Sequence, residues 1–186
     1  EAEGLPIGVV TGVQGVRWFD VVVEGQDCHA GPTPMEVRRD AMLAAAEMVG
    51  AIIGEARKRA PNGRGTVGQM QVVPNSRNTV PGEVKFTIDL RHPDRAQLDG
   101  LENDVRQALA RIAASHKVEA KVERIWDSQP VRFDEACVSA VRDAAGSLGL
   151  KAREIVSGAG HDSVYISRVA PTGMIFIPCR GGLSHN

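Results

Sequence analysis

Apolar and polar residues alternate most cleanly from Glu83 to Arg91. Val84, Phe86, Ile88 and Leu90 share one face there, and Lys85, Thr87, Asp89 and Arg91 share the other. A period of two marks a half-buried strand. Val16 to Gly25 gives a second strand, rich in β-branched and aromatic residues (Trp18, Phe19, Val21, Val22, Val23). Gly65 to Val73 predicts a weaker strand, and His116 to Trp126 a fourth, with Val118, Ala120 and Val122 inward. Between the strands the period lengthens to that of a helix. Thr33 as N-cap, Pro34 at the first helical position and Glu36 completing a capping box predict a helix start. Its apolar stripe runs Met42, Ala45, Ala46, Val49, Ile52, Ile53 and Ala56, with Met35 and Met42 read as packing residues, and it ends before Pro61 and Gly63. Asp94, with Gln97 three positions on, caps a second helix carrying Leu98, Leu101, Val105, Ala108, Leu109 and Ile112. The order β-α-β-β-α-β predicts a ferredoxin-like unit, an antiparallel sheet with both helices on one face.

The flanks read differently. Leu5 to Thr11 is a short buried strand. After Pro130 the pattern gives a helix (Asp134 to Leu148), a strand (Ala152 to Val156), a helix (His161 to Val169) and a strand (Thr172 to Pro178). Such alternation predicts a parallel α/β layer. The fold class is therefore α/β, with a ferredoxin-like domain over 15–127 inserted into a partial α/β domain made of 1–14 and 128–186. So few elements cannot cover both faces of a parallel sheet, and packed strands lie close to both chain ends. The expectation is a piece of a larger domain.

Composition removes several function classes. With 22 basic against 23 acidic residues the formal net charge is −1, which gives no electrostatic footprint for nucleic acid. The 3 cysteines are widely spaced without a CxxC pair, as in reduced cytosolic proteins. No apolar run approaches the roughly 18 residues of a membrane span, and Glu1-Ala2-Glu3-Gly4 lacks the character of a leader. The expectation is a soluble, cytoplasmic protein with neither nucleic acid nor membrane as partner.

Candidate chemistry lies at the element junctions. His29, in the run Asp27-Cys28-His29-Ala30-Gly31-Pro32-Thr33-Pro34-Met35, can donate a hydrogen bond to a developing oxyanion, or simply complete its loop. Asn78 precedes the Pro81-Gly82 turn. Arg91 ends its strand on the polar face, where a guanidinium can grip a carboxylate or pair with Asp89. Gly158, Ala159 and Gly160 follow a strand and precede His161-Asp162, so their amides can meet an anion; no Lys-Ser/Thr pair makes this a P-loop. His185 closes a second post-strand loop and is a candidate metal ligand.

His29-Ala30-Gly31-Pro32-Thr33-Pro34-Met35, Asn78-Thr79-Val80-Pro81-Gly82, Asp89-Leu90-Arg91, Ser157-Gly158-Ala159-Gly160-His161-Asp162 and Ser184-His185 follow one another in an order that resembles the N-carbamoyl-L-amino-acid hydrolases. Allantoate amidohydrolases and β-ureidopropionases are relatives in the same dinuclear-metal amidohydrolase and aminopeptidase superfamily. The resemblance implies a lid and homodimerisation domain inserted in a catalytic domain that holds two divalent metals, zinc or manganese. It implies that His29 stabilises the oxyanion in the partner subunit's site, and that Asn78 and Arg91 grip the substrate carboxylate. The 158–160 loop would touch the same end of the substrate, and His185 would be the last metal ligand. The implied substrate is a small N-carbamoyl amino acid or ureido acid, cleaved at its carbamoyl C–N bond. The family's other metal ligands and its general-base glutamate belong to segments upstream of Glu1. The chain alone is therefore expected to bind no metal and to be inactive, roles for His161 and Asp162 being unassigned. The rival from another class is a metal-free ferredoxin-like dimerisation or small-molecule binding module.

Overall fold

The computed structural model describes residues 3–179 and 181. In chain order the strands are β1 (Ile7–Val13), β2 (Gly15–Glu24), β3 (Cys28–His29), β4 (Arg64–Thr66), β5 (Met70–Val73), β6 (Thr79–Val80), β7 (Glu83–His92), β8 (Glu119–Ser128), β9 (Val131–Arg132), β10 (Ala152–Ser157) and β11 (Met174–Phe176). The helices are α1 (Ala41–Arg57), α2 (Arg95–Ser115), α3 (Glu135–Ser147) and α4 (Asp162–Ile166). The chain divides into two compact units, Gly15–Ser128 on the one hand and Glu1–Gln14 with Gln129–Asn186 on the other.

In the Gly15–Ser128 unit the sheet order is β4-β7-β2-β8, with β5 also pairing β7, and every pairing is antiparallel. β2 and β7 pair without interruption from Gly15↔His92 to Glu24↔Glu83. Their alternation sends Phe19, Val21, Val23, Val84, Phe86, Ile88 and Leu90 into a core shared with both helices. Burial of each such large side chain contributes roughly 1.5–3 kcal/mol. The stretch read as one weak strand from Gly65 is two short pieces, β4 and β5, on either side of residues 67–69. β8 starts three residues later than predicted. His116 caps α2 and Lys117 takes φ 55°, while the amides of Lys117 and Val118 bond back to Ala114 and Ala113. This is a Schellman closure, so the chain cannot yet be extended there.

The first helix departs further from the sequence pattern. It starts at Ala41, where the Asp40 carboxylate accepts from the amides of Met42 and Leu43. Thr33 does not cap it. Residues 35–37 form one 3-10 turn, and the chain then runs extended because Arg39 bridges to Gln26. The buried stripe is Ala41, Ala44, Ala45, Met48, Ile52 and Ala56, rotated by one residue from the expected one. Met35 and Met42 are exposed rather than packed. This helix is apolar nearly all round, so periodicity did not choose a face. The sheet takes the alanine-rich side, which permits close approach.

In the flanking unit β1 is central. It pairs with β10 in parallel and with β9 and β11 in antiparallel fashion. The layer is therefore mixed, not the parallel one that the alternation predicted: α4 is a short turn of helix and β11 returns against β1 in the opposite sense. Val9, Val10, Val13, Phe133, Val138 and Val164 form its core. No helix among the described residues is long and apolar enough to cross a membrane.

Candidate active site

The strongest grouping in the Gly15–Ser128 unit is a two-stranded ladder, β3 with β6, that sets His29 opposite Thr79. Gly25 and Gly82 permit this extension because both lie against backbone. A Cβ on Gly25 would sit 2.0 Å from the Arg39 carbonyl oxygen, and one on Gly82 would sit 2.8 Å from the Asp27 amide nitrogen. Beyond the ladder the Ala30 amide donates to the Asn78 carbonyl at 2.8 Å. His29 and Asn78, 49 positions apart in the sequence, thus become neighbours at one exposed end of the unit. The His29 ring accepts the Gly31 amide at Nδ1, 3.0 Å away. A nitrogen that accepts carries no proton, so neutral His29 holds its proton on Nε2 and is a donor there. The Asn78 Oδ1 accepts from the Ser76 hydroxyl at 3.0 Å, which turns the NH2 of the amide away from Ser76.

Arg91 lies elsewhere. The nine residues from Glu83 to Arg91, eight steps along the strand, span about 26 Å, and the turn bearing Asn78 leads into the Glu83 end. Arg91 sits opposite Val16, where the chain enters and leaves the unit. Its guanidinium forms a fork with Asp89, Nε to Oδ1 at 2.7 Å and Nη2 to Oδ2 at 2.7 Å. The Trp18 indole N–H also donates to Asp89 Oδ2, at 2.9 Å. The bond to Asp89 outweighs partial burial and pushes the Arg91 pKa further above its ordinary value, so Arg91 is a permanent cation. Within one chain Asn78 therefore stands with His29, and Arg91 at the opposite end of the sheet.

In the flanking unit the Gly158–Gly160 loop is organised by buried Ser157. The Ser157 Oγ accepts from the Ala159 amide at 3.2 Å, lies 3.0 Å from the Ala159 carbonyl oxygen, and lies 3.0 Å from His161 Nε2. The Gln14 side-chain amide donates to the Gly158 carbonyl at 2.9 Å. The Ala159 N–H is thus turned inward. His161 also packs against Phe176, with ring centroids 5.7 Å apart, and so serves the interior of its unit. His185 lies outside the described residues. Among the described residues no three His, Cys, Asp or Glu side chains gather into a group able to hold a metal ion.

Two features went unread in the sequence. Trp18, taken there only as a strand residue, meets Asp89 because β2 and β7 pair in that register. Arg38 reaches back to the loop after His29, a contact no periodicity signals.

Comparison with known proteins decides the lineage. The family model for peptidase family M20/M25/M40 matches residues 4–186. The chain belongs to this family. Among curated M20 relatives it is similar to an N-carbamoyl-L-amino-acid amidohydrolase of Rhizobium meliloti, 44% identical over 186 residues, covering 100% of this chain and 45% of that protein. An allantoate amidohydrolase of Bacillus subtilis is 33% identical over 186 residues with the same coverage, 100% and 45%. A solved hydantoinase/carbamoylase family amidase from Burkholderia multivorans superposes with a TM-score of 0.95 at 52% identity, covering 100% of this chain and 45% of that one. The chain spans about half the length of the M20 relatives it matches.

Proposed function

We propose that this chain is the lid and part of the catalytic domain of a metal-dependent amidohydrolase that cleaves the carbamoyl C–N bond of N-carbamoyl-L-amino acids or related ureido acids. The observation that carries this is the locking of His29 and Asn78 side by side at an exposed end, with the imidazole held as an Nε2–H donor. When the carbamoyl carbon is attacked, charge gathers on its oxygen, and a fixed neutral donor is what that oxygen requires. Asn78 supplies a second polar group beside it. Arg91, held as a cation by Asp89, suits the substrate carboxylate. The 158–160 loop is proposed to touch the same end of the substrate, with the Ala159 N–H engaged by Ser157 and the Gly158 carbonyl by Gln14.

His29 and Arg91 lie too far apart to meet one small substrate within a single copy. The reading therefore includes a homodimer through the lid domain, in which His29 and Asn78 reach the partner's substrate while Arg91 serves the substrate of its own subunit. A bound metal pair, zinc or manganese, would polarise the carbamoyl group and activate water. The described residues do not by themselves make a site for such a pair, and what they supply is orientation and hydrogen bonds. His185 is proposed as one ligand.

The test is a chimera in which this chain replaces the matching 45% of the Rhizobium meliloti relative. It is assayed for ammonia release from N-carbamoyl-L-amino acids, ureidopropionate and allantoate with zinc, manganese or cobalt. Turnover of at least one substrate is expected, with none from the 186-residue chain alone. His29→Ala should lower kcat by about 10²–10³-fold. A chimera that releases no ammonia while the parent enzyme does so would overturn the reading, and binding without turnover would point to the metal-free module.

A further inference from the structure

The segment after His29 is irregular and rich in glycine and proline, yet it is closed by one side chain. Arg38 Nη2 donates to the Ala30 carbonyl at 2.7 Å and to the Thr33 carbonyl at 2.9 Å, and Nε donates to Thr33 at 3.1 Å. The Ala30 carbonyl and the Gly31 N–H belong to one planar peptide group. Arg38 holds the oxygen of that group, and its N–H points at His29 Nδ1, 3.0 Å away. The Ala30 N–H is fixed on the other side by the Asn78 carbonyl at 2.8 Å. If the peptide turned over, a carbonyl would face Nδ1, and the imidazole would have to move its proton there.

We propose that Arg38 is a positioning residue which, through the Ala30–Gly31 peptide plane, sets the tautomer of His29 and so keeps Nε2–H as the outward donor. Its catalytic consequence rests on the reading of His29 given above, whereas the link from Arg38 to the tautomer does not. A lysine keeps the charge but lacks the coplanar Nε and Nη2 that together hold the Thr33 carbonyl while Nη2 reaches Ala30, so it fixes the peptide plane less firmly.

The test uses the 186-residue chain, labelled with 15N, at a pH of about 8.5, where free histidine is neutral. Long-range 1H–15N spectra report which ring nitrogen of His29 is protonated, and amide exchange reports Gly31. The wild type should show the Nε2–H tautomer and a protected Gly31 amide. Arg38→Met should give mixed tautomers and at least about tenfold faster Gly31 exchange, reflecting local opening. Arg38→Lys, which keeps the charge, should move both readouts the same way and stands in if the methionine variant does not fold. Leu101→Ala, a core deletion in the same unit, should lower stability without changing the tautomer. In the chimera, Arg38→Met should lower kcat by about 10- to 100-fold with little change in KM, as expected for a misplaced donor. The proposal is overturned if the Arg38 variants leave the tautomer and Gly31 as in the wild type, or if Leu101→Ala changes them equally. If the tautomer responds but His29→Ala leaves turnover intact, the clamp stands and the oxyanion reading of His29 falls.

Discussion

Arg17 offers the sharpest test of what holds the Gly15–Ser128 unit together. Its side chain is 4% exposed, yet it carries a full charge on the core side of β2. Asp99 lies 2.5 Å away, Glu102 3.0 Å and Asp127 3.3 Å. Glu102, itself 13% exposed, is shared with Arg106 at 2.9 Å and Arg124 at 3.2 Å. Arg95 adds a weaker contact to Asp99 at 4.0 Å, so four arginines surround three carboxylates. Arg17→Met keeps the buried stem but removes the one charge that contacts all three carboxylates. Breaking a wholly buried pair costs about 3–5 kcal/mol, whereas exposed pairs contribute under about 1 kcal/mol. Asp99 is 53% exposed and returns to water, and Glu102 keeps two arginines, so the expected loss is about 2–3 kcal/mol, below the fully buried limit. Arg17→Met/Glu102→Leu replaces the ion pair with an apolar pair and should recover at least about 1 kcal/mol of it.

Both tryptophans, Trp18 and Trp126, lie in this unit, so their fluorescence reads its unfolding alone. Urea, which does not screen charge, is the denaturant of choice. The single variant should shift the midpoint with an unchanged m-value. The acid limb gives an independent sign. The hydrogen bond from Arg17 holds the Asp99 carboxyl below its ordinary pKa. Its contribution to stability is therefore present above the unfolded carboxylate value of about 3.9 and is lost as the pH falls through the lower folded value. Arg17→Met should flatten that limb. A variant within about 0.5 kcal/mol of the wild type, with the same acid limb, would refute the reasoning, since that is the range of ordinary surface substitutions.

Gly25→Ala would drive a Cβ to 2.0 Å from the Arg39 carbonyl oxygen, and should cost about 1–3 kcal/mol in the same titration; an unchanged midpoint would count against the close approach. Lys117→Gly relieves a left-handed residue at φ 55° and should raise stability by about 1 kcal/mol, which a lower midpoint would contradict. Burial, and then the neighbouring Asp134 carboxylate, push the Cys137 thiol above its ordinary pKa. Iodoacetamide at about pH 8, close to the free thiol value, should therefore label Cys137 more slowly than exposed Cys179, as peptide mass spectrometry would show.

What the sequence revealed and what it hid follow a physical line. Val84, Phe86, Ile88 and Leu90 were legible because a period of two has one solution when one face is apolar. Asp94 was legible as a cap because the polar run after it leaves a single stripe to bury. Around α1 the pattern pointed to Thr33 as the cap, whereas Asp40, which it did not single out, takes that role before an almost uniformly apolar helix. The choice between them fell to a bridge between Gln26 and Arg39 that no local pattern encodes. The same holds for the candidate site. His29, Asn78 and Arg91 stood out as residue types at junctions. That the first two meet, and the third does not, depends on the β3–β6 ladder and on the length of β7.

That length has a consequence for the proposed chemistry. β2 and β7 pair over ten residues without a bulge, so the sheet is a stiff spacer between its His29 end and its Arg91 end. A loop at one end cannot close on the other. If both ends act on one substrate, they come from different copies, and damage to each end should complement in trans. In the chimera, His29→Ala and Arg91→Ala should each be nearly inactive. After subunit exchange, the mixed dimer holds one site with both residues intact and one with neither. Random pairing of equal amounts makes half the dimers mixed, so about a quarter of wild-type activity should return in a two-fold dimer. Loss of that activity when the subunits are cross-linked before mixing would tie it to exchange. Mixed dimers seen by native mass spectrometry without any recovered turnover would mean that His29 and Arg91 do not serve a common substrate.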